Sequence, residues 1–189
     1  MGRPNKWINP TKVSAGNNKA NPAYSHWRHM LERCSEAYWL KYPTYKGTTY
    51  QQSWADYDVF YEWVTNQVGY GLDGIHLDKD LLGDGTVYSE DTCCLLPKSV
   101  NIALQSNRVN VGDCPSGVSL NGGKYMASLA YNGKNKNLGR YDSQEEAFAV
   151  YRTAKISRIK ELATKFKDQI DEKAFDSLIN YNRITKGNS

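Results

Sequence analysis

Apolar side chains recur at spacings of three and four through Tyr24, Trp27, Leu31, Cys34 and Tyr38, the period of a helix with one buried face. Asn21 and Pro22 stand before this stripe as an N-cap residue and a first-turn proline. One amphipathic helix is expected here, with Arg28, Glu32 and Arg33 on its outer face. Residues 43–53 read as loop or short strand. A second stripe, Tyr57, Phe60, Tyr61, Val64 and Val68, predicts a helix that starts at Ser53 and ends at Gly69. The period then changes. Residues 72–77 and 86–96 read as extended pieces joined by the turn Gly83-Asp84-Gly85, and Pro97 leads into a short helix that carries Asn101.

Beyond a polar stretch at 105–114, which reads as a linker, the pattern shifts again. Residues 117–120, 124–131 and 136–141 are three short strands, with Asn121-Gly122-Gly123 and Asn132-Gly133 as tight turns between them. Ser143 to Glu146 is a capping box for a helix with Phe148, Tyr151, Ile159, Leu162 and Phe166 on its apolar side. Ile170, Ala174, Phe175, Leu178 and Ile179 predict a last short helix within 167–189, followed by a polar tail. Residues 1–21 have no period and read as a flexible basic arm.

Composition agrees with a folded chain: of 189 residues, 40% are hydrophobic, with 14 Tyr and 5 Trp. There is no run of 18 apolar residues, so no membrane span is expected. The first residues lack the apolar core of a secretory signal, and a cytoplasmic location is expected. Charge is unevenly spread. Residues 1–53 hold 8 basic and 2 acidic side chains, 54–101 hold 2 and 9, and 102–189 hold 14 and 9. An acidic middle between basic ends suits a cation-binding centre flanked by phosphate-gripping segments. Of the four cysteines, Cys93 and Cys94 are adjacent and no CxxC pair exists. Buried thiols are therefore expected, and no structural zinc.

The candidate chemistry lies where the acids are densest. His76, Asp78, Lys79 and Asp80 fall within five residues. In an extended chain alternate side chains share a face, which would turn His76, Asp78 and Asp80 the same way. A histidine can then activate water while carboxylate or amide oxygens hold Mg²⁺ or another divalent cation. The run LDKDLLGDGTVYSEDTCCLLPKSVN, residues 77–101, resembles the core of phage-type HNH endonuclease-like proteins related to homing endonucleases. Its matching features are LDKD, Tyr88-Ser89, the segment from Cys94 to Pro97, and Asn101. Trp27-Arg28, Met30-Leu31 and Arg33-Cys34 resemble the opening of the same group. The resemblance implies a ββα-metal core with His76 as general base, Asp78 or Asp80 as an orienting or ligating acid, and Asn101 as a helix-borne metal ligand. A second alignment puts Lys79 at the catalytic position.

The run from Gly117 to Ala154 resembles an AP2-type DNA-binding domain through Gly117-Val118-Ser119, Lys124 to Ala127, Leu138 to Ser143, and Glu145-Glu146-Ala147. It implies a sheet face laid in the major groove of double-stranded DNA, with Lys124, Lys134, Lys136, Asn137 and Arg140 on or near that face. The expected whole is an α+β chain, with an HNH-like portion at 22–104 and an AP2-like domain at 115–166. Its expected activity is metal-dependent hydrolysis of DNA. Ile75 and Thr92 depart from the HNH pattern and leave an inactive, DNA-binding form of the fold as the alternative. A factor that binds a host protein is a third reading, and the oligomeric state is left open.

Overall fold

A computed structural model describes residues 21–105, 114–131 and 133–184. The basic arm at 1–21, apart from Asn21, the stretch 106–113 and the last five residues lie outside the described residues. The fold is α+β, and the chain divides into two compact units, 1–96 and 97–189. Among the described residues no helix is long and apolar enough to cross a membrane.

In the first unit the leading stripe forms two helices rather than one. Helix α1 spans Pro22–Arg33 and α2 spans Glu36–Lys41. The break sits at Ser35, whose hydroxyl accepts from Tyr38 N at 3.3 Å and caps α2. A serine competes for backbone groups and favours a cap over a helix interior. Helix α3, Tyr57–Thr65, starts after the expected Ser53 and ends before Gly69. Residues Gln52–Ala55 form a 3₁₀ turn, and Asp56 is the cap, accepting from Asp58 N at 2.8 Å.

The extended pieces also rearrange. Strand β1, Thr49–Tyr50, pairs in parallel with β3, Val87–Tyr88, while β2, Ile75–Asp78, pairs with β4, Cys94–Pro97. The expected second extended piece is thus two strands. They are separated at Ser89 and Thr92, where Ser89 N donates to Thr92 Oγ1 at 3.1 Å and Cys93 N to Ser89 O at 2.9 Å.

An aromatic cluster holds these elements together. Trp27 of α1 and Trp54 are buried with Tyr57, Phe60, Ile75, Leu77, Tyr88 and Leu95. Trp27 Nε1 donates to Trp54 O at 2.8 Å, and the Trp27 and Tyr57 rings meet edge-on at 5.3 Å. Burying such side chains is worth a few kcal/mol each, about 1.5–3 for a Phe-sized group.

The second unit begins with α4, Lys98–Leu104, which packs on α5, Gln144–Lys165. Strands β5, Val118–Asn121, β6, Lys124–Tyr131, and β7, Lys134–Tyr141, form an antiparallel sheet in that order. Helix α5 lies against this sheet, and α6, Glu172–Ile179, packs on α5. The capping box at Ser143 and Glu146 is formed as its sequence suggests. Lys155 stands in the apolar stripe of α5, 5% exposed, and its Nζ donates to Gln105 O at 2.7 Å. Burial pulls that amine down to about 8.

Gly117 enters β5 at φ +78°, and a Cβ there would lie 2.1 Å from the Tyr151 ring. Gly123 has φ +76° with nothing within 4 Å of a Cβ. Gly123→Ala is expected to cost only the left-handed backbone strain, about 1–2 kcal/mol. Gly117→Ala adds overpacking of the core and is expected to lose about 3 kcal/mol or more in urea denaturation.

Candidate functional site

His76 and Asp78 have the same parity on β2, as expected. Asp80 does not continue the strand, because the chain turns immediately after Asp78. Asp78 Oδ1 accepts from Asp80 N at 3.1 Å and from Leu81 N at 2.9 Å, so its carboxylate closes the turn. The residue is 5% exposed, and burial pushes its carboxyl above the ordinary range, with the two turn amides pulling the other way.

Lys79 follows Asp78 and is turned inward, 6% exposed. Its Nζ donates to Asp80 Oδ1 at 2.6 Å and to Gly85 O at 2.5 Å. It also lies 5.5 Å from the centroids of both the Tyr45 and Tyr88 rings. Arg33 joins the same tyrosines, donating from Nη1 to the Tyr88 hydroxyl at 3.3 Å with its guanidinium 5.8 Å from the Tyr45 ring. Burial pushes the neighbouring Cys34 thiol up to about 11 and the Cys93 thiol to about 12, so both remain protonated at neutral pH.

Asp80 is the open acid of the set, its side chain 67% exposed. Among the described residues no three His, Cys, Asp or Glu side chains converge as a metal cage. Asn101 lies on α4 in the second unit, half-buried.

One residue that the sequence reading passed over stands near His76. His26, on α1, is within electrostatic reach of His29 and His76. Burial, then the two histidines and Arg33, brings its imidazole down to about 4. The spacing of His26 and His29, three apart on one helix face, was the available signal.

On the sheet, register assigns the faces. Ala127 and Leu129 of β6 are buried toward α5, so Lys124, Met126, Ser128 and Ala130 occupy the opposite, free face. Arg140 pairs with Met126 and Asn137 with Ser128, which puts both on the free face. Lys136 pairs with Leu129 and Lys134 with Tyr131, which puts them on the α5 side. The parity changes at a bulge opposite Ala127 and Ser128, where Leu138 is the extra residue. Asn137 Oδ1 accepts from Gly139 N at 2.9 Å there. Arg140 Nη2 donates to Asn121 O at 2.8 Å, and Lys124 pairs with Asp142, both ends being exposed. Such a pair is worth little and is easily exchanged.

No family model matches this chain, and no curated protein or solved structure matches it either.

His26 gives a pH test. Its folded value, about 4, lies below the ordinary 6.5, so the unfolded chain binds the extra proton between those values. Its contribution is therefore present above pH 6.5 and lost as pH falls to 4. The wild type should lose roughly 2–3 kcal/mol more than His26→Gln over that window, read by urea denaturation at each pH.

Proposed function

We propose that the chain binds duplex DNA through the free face of the β5–β7 sheet and acts as an HNH-type endonuclease at the β2 hairpin. The observation that carries the binding reading is the register, which gathers Lys124, Arg140, Asn137 and Asn121 on the face opposite α5. A face with two cations and two amides matches the needs of major-groove recognition: guanidinium and amide forks for base edges, ammonium groups for phosphates. Arg140 is the base reader in this scheme. Lys134 and Lys136, at the margin of the other face, would meet backbone phosphates. The resemblance of this unit to AP2-type domains and of the hairpin to HNH cores supports the same reading.

At the hairpin, His76 would accept the proton of the attacking water, and Asp80 would hold the cation. That ion, when bound, supplies charge stabilisation to the phosphate oxygens. Asp78 would act by shaping the turn that carries Asp80. One observation favours binding without cleavage: Asp78 is committed to turn amides and Asp80 Oδ1 to Lys79.

Two measurements separate the readings. With Mg²⁺ or Mn²⁺, supercoiled plasmid should be nicked or cut by the wild type and left intact by His76→Ala, with DNA affinity unchanged between them. Binding without cleavage in any metal would leave DNA binding as the whole function. If about five basic side chains reach phosphates, the logarithm of affinity should fall with that of salt at a slope of about −4 to −5. Arg140→Ala should cost about 1–3 kcal/mol of discrimination between sites. A flat salt dependence would sink both DNA readings.

A further inference from the structure

A sheet covered on one face only normally turns polar side chains to solvent on the other. The free face of the β5–β7 sheet keeps that rule except near its centre. Register sets Ser119, Met126 and Arg140 in one row across the three strands, with Ser128 and Asn137 paired in another. Among the described residues of this face Met126 is the one large apolar side chain, half-buried on the middle strand. Ser119, Ser128 and Ala130 around it are small. Arg140 enters the row through the bulge at Leu138. Its guanidinium then reaches across β6 to the end of β5, where Nη2 donates to Asn121 O at 2.8 Å and a Cβ on Gly122 would lie 3.2 Å away. That bond occupies one corner of the fork and holds it over the middle strand. Lys124, farther along β6, is paired with Asp142, so Arg140 is the cation that faces Met126.

Side chains directly opposite in an antiparallel pair have Cβ atoms about 4.5–5.5 Å apart. Successive bases of a DNA strand rise by about 3.4 Å. A guanidinium and a thioether in this register therefore match neighbouring base edges. The guanidinium suits guanine O6 and N7, and the apolar tip suits the C5 methyl that a pyrimidine shows in the major groove. We propose that Met126 is a specificity-determining residue of the sheet face: it reads the C5 methyl of a pyrimidine next to the guanine that Arg140 reads. This rests on the reading of that face as the DNA-binding surface and adds the base step that the face selects.

The test uses the full chain and an alternating d(TG)·d(CA) duplex, compared by fluorescence anisotropy with the same duplex carrying deoxyuridine for thymidine. The exchange removes the methyl group alone. The wild type should bind the uracil duplex about fourfold more weakly, the value of one buried methyl group. Met126→Ala should bind both duplexes equally, and so should Met126→Gln, which keeps the side-chain length if the shorter residue disturbs the sheet. Lys134→Ala should weaken both duplexes alike and retain the preference. An alternating d(CG) duplex with and without 5-methylcytosine separates the sources of the methyl: a similar gain on methylation assigns the contact to any C5 methyl, and a preference confined to the first pair assigns it to thymine. Equal binding of the thymine and uracil duplexes by the wild type would overturn the proposal and leave DNA binding standing. A uracil penalty that Met126→Ala retains would overturn it as well. Binding to none of the duplexes would remove the DNA reading and this inference with it.

Discussion

The pairing of β2 with β4 depends on apolar surface that the hairpin does not own. Strands of four residues bury too little to order themselves, and a two-stranded unit alone is marginal in water. Ile75, Leu77 and Leu95 are buried because Trp27, Trp54, Tyr57 and Phe60 arrive from α1, the 3₁₀ turn and α3. The Trp27 bond to Trp54 O ties the first of these to the second. Among the described residues Trp54 Nε1 is buried without a hydrogen-bond partner. Leaving such a donor unpaired costs about 1–3 kcal/mol, so the surrounding apolar burial has to exceed that cost. The scaffold helices are in this sense part of the candidate site: they fix β2, and β2 fixes His76.

A second dependence runs through charge. Lys79 and Arg33 bring two cations into one tyrosine cluster, and burying an ammonium costs several kcal/mol unless it is well bonded. Asp80, Gly85 O and two ring faces satisfy it. The second unit solves the same problem more sparingly. Lys155, set among the buried side chains of α5, bonds Gln105 O and lies 5.7 Å from the Tyr151 ring; burial lowers its affinity for the proton. Both act as internal fastenings, Lys79 beneath the Tyr45 ring and Lys155 on the Gln105 carbonyl.

Legibility followed the reach of each signal. The capping box at Ser143, the glycine turn at 121–123 and the stripe of α5 are local, and the structure has them. Local signals misled where they competed. The three-and-four spacing ran through Cys34 and concealed the Ser35 cap, although Ser35-Glu36 is itself a helix start. The two-residue pairing of β1 with β3 has no period to read, since it joins positions 38 residues apart through Thr49 and Val87. On the sheet, simple alternation gives Lys134, Lys136, Leu138 and Arg140 one parity. The bulge before Gly139 moves Arg140 to the other face, and the glycine within the strand was the mark of it.

The candidate site shows why spacing alone could not assign roles to two acids two residues apart. Alternation made Asp78 and Asp80 equivalent, yet their surroundings push them apart. Asp78 is buried and spends an oxygen on the amides of Asp80 and Leu81, which makes it the architect of the turn. Asp80 inherits its place from that turn, is exposed to solvent, and has one oxygen pinned by Lys79. The order of dependence is therefore Asp78, then the turn it closes, then Lys79 held to Gly85 O, then Asp80, which takes its place last.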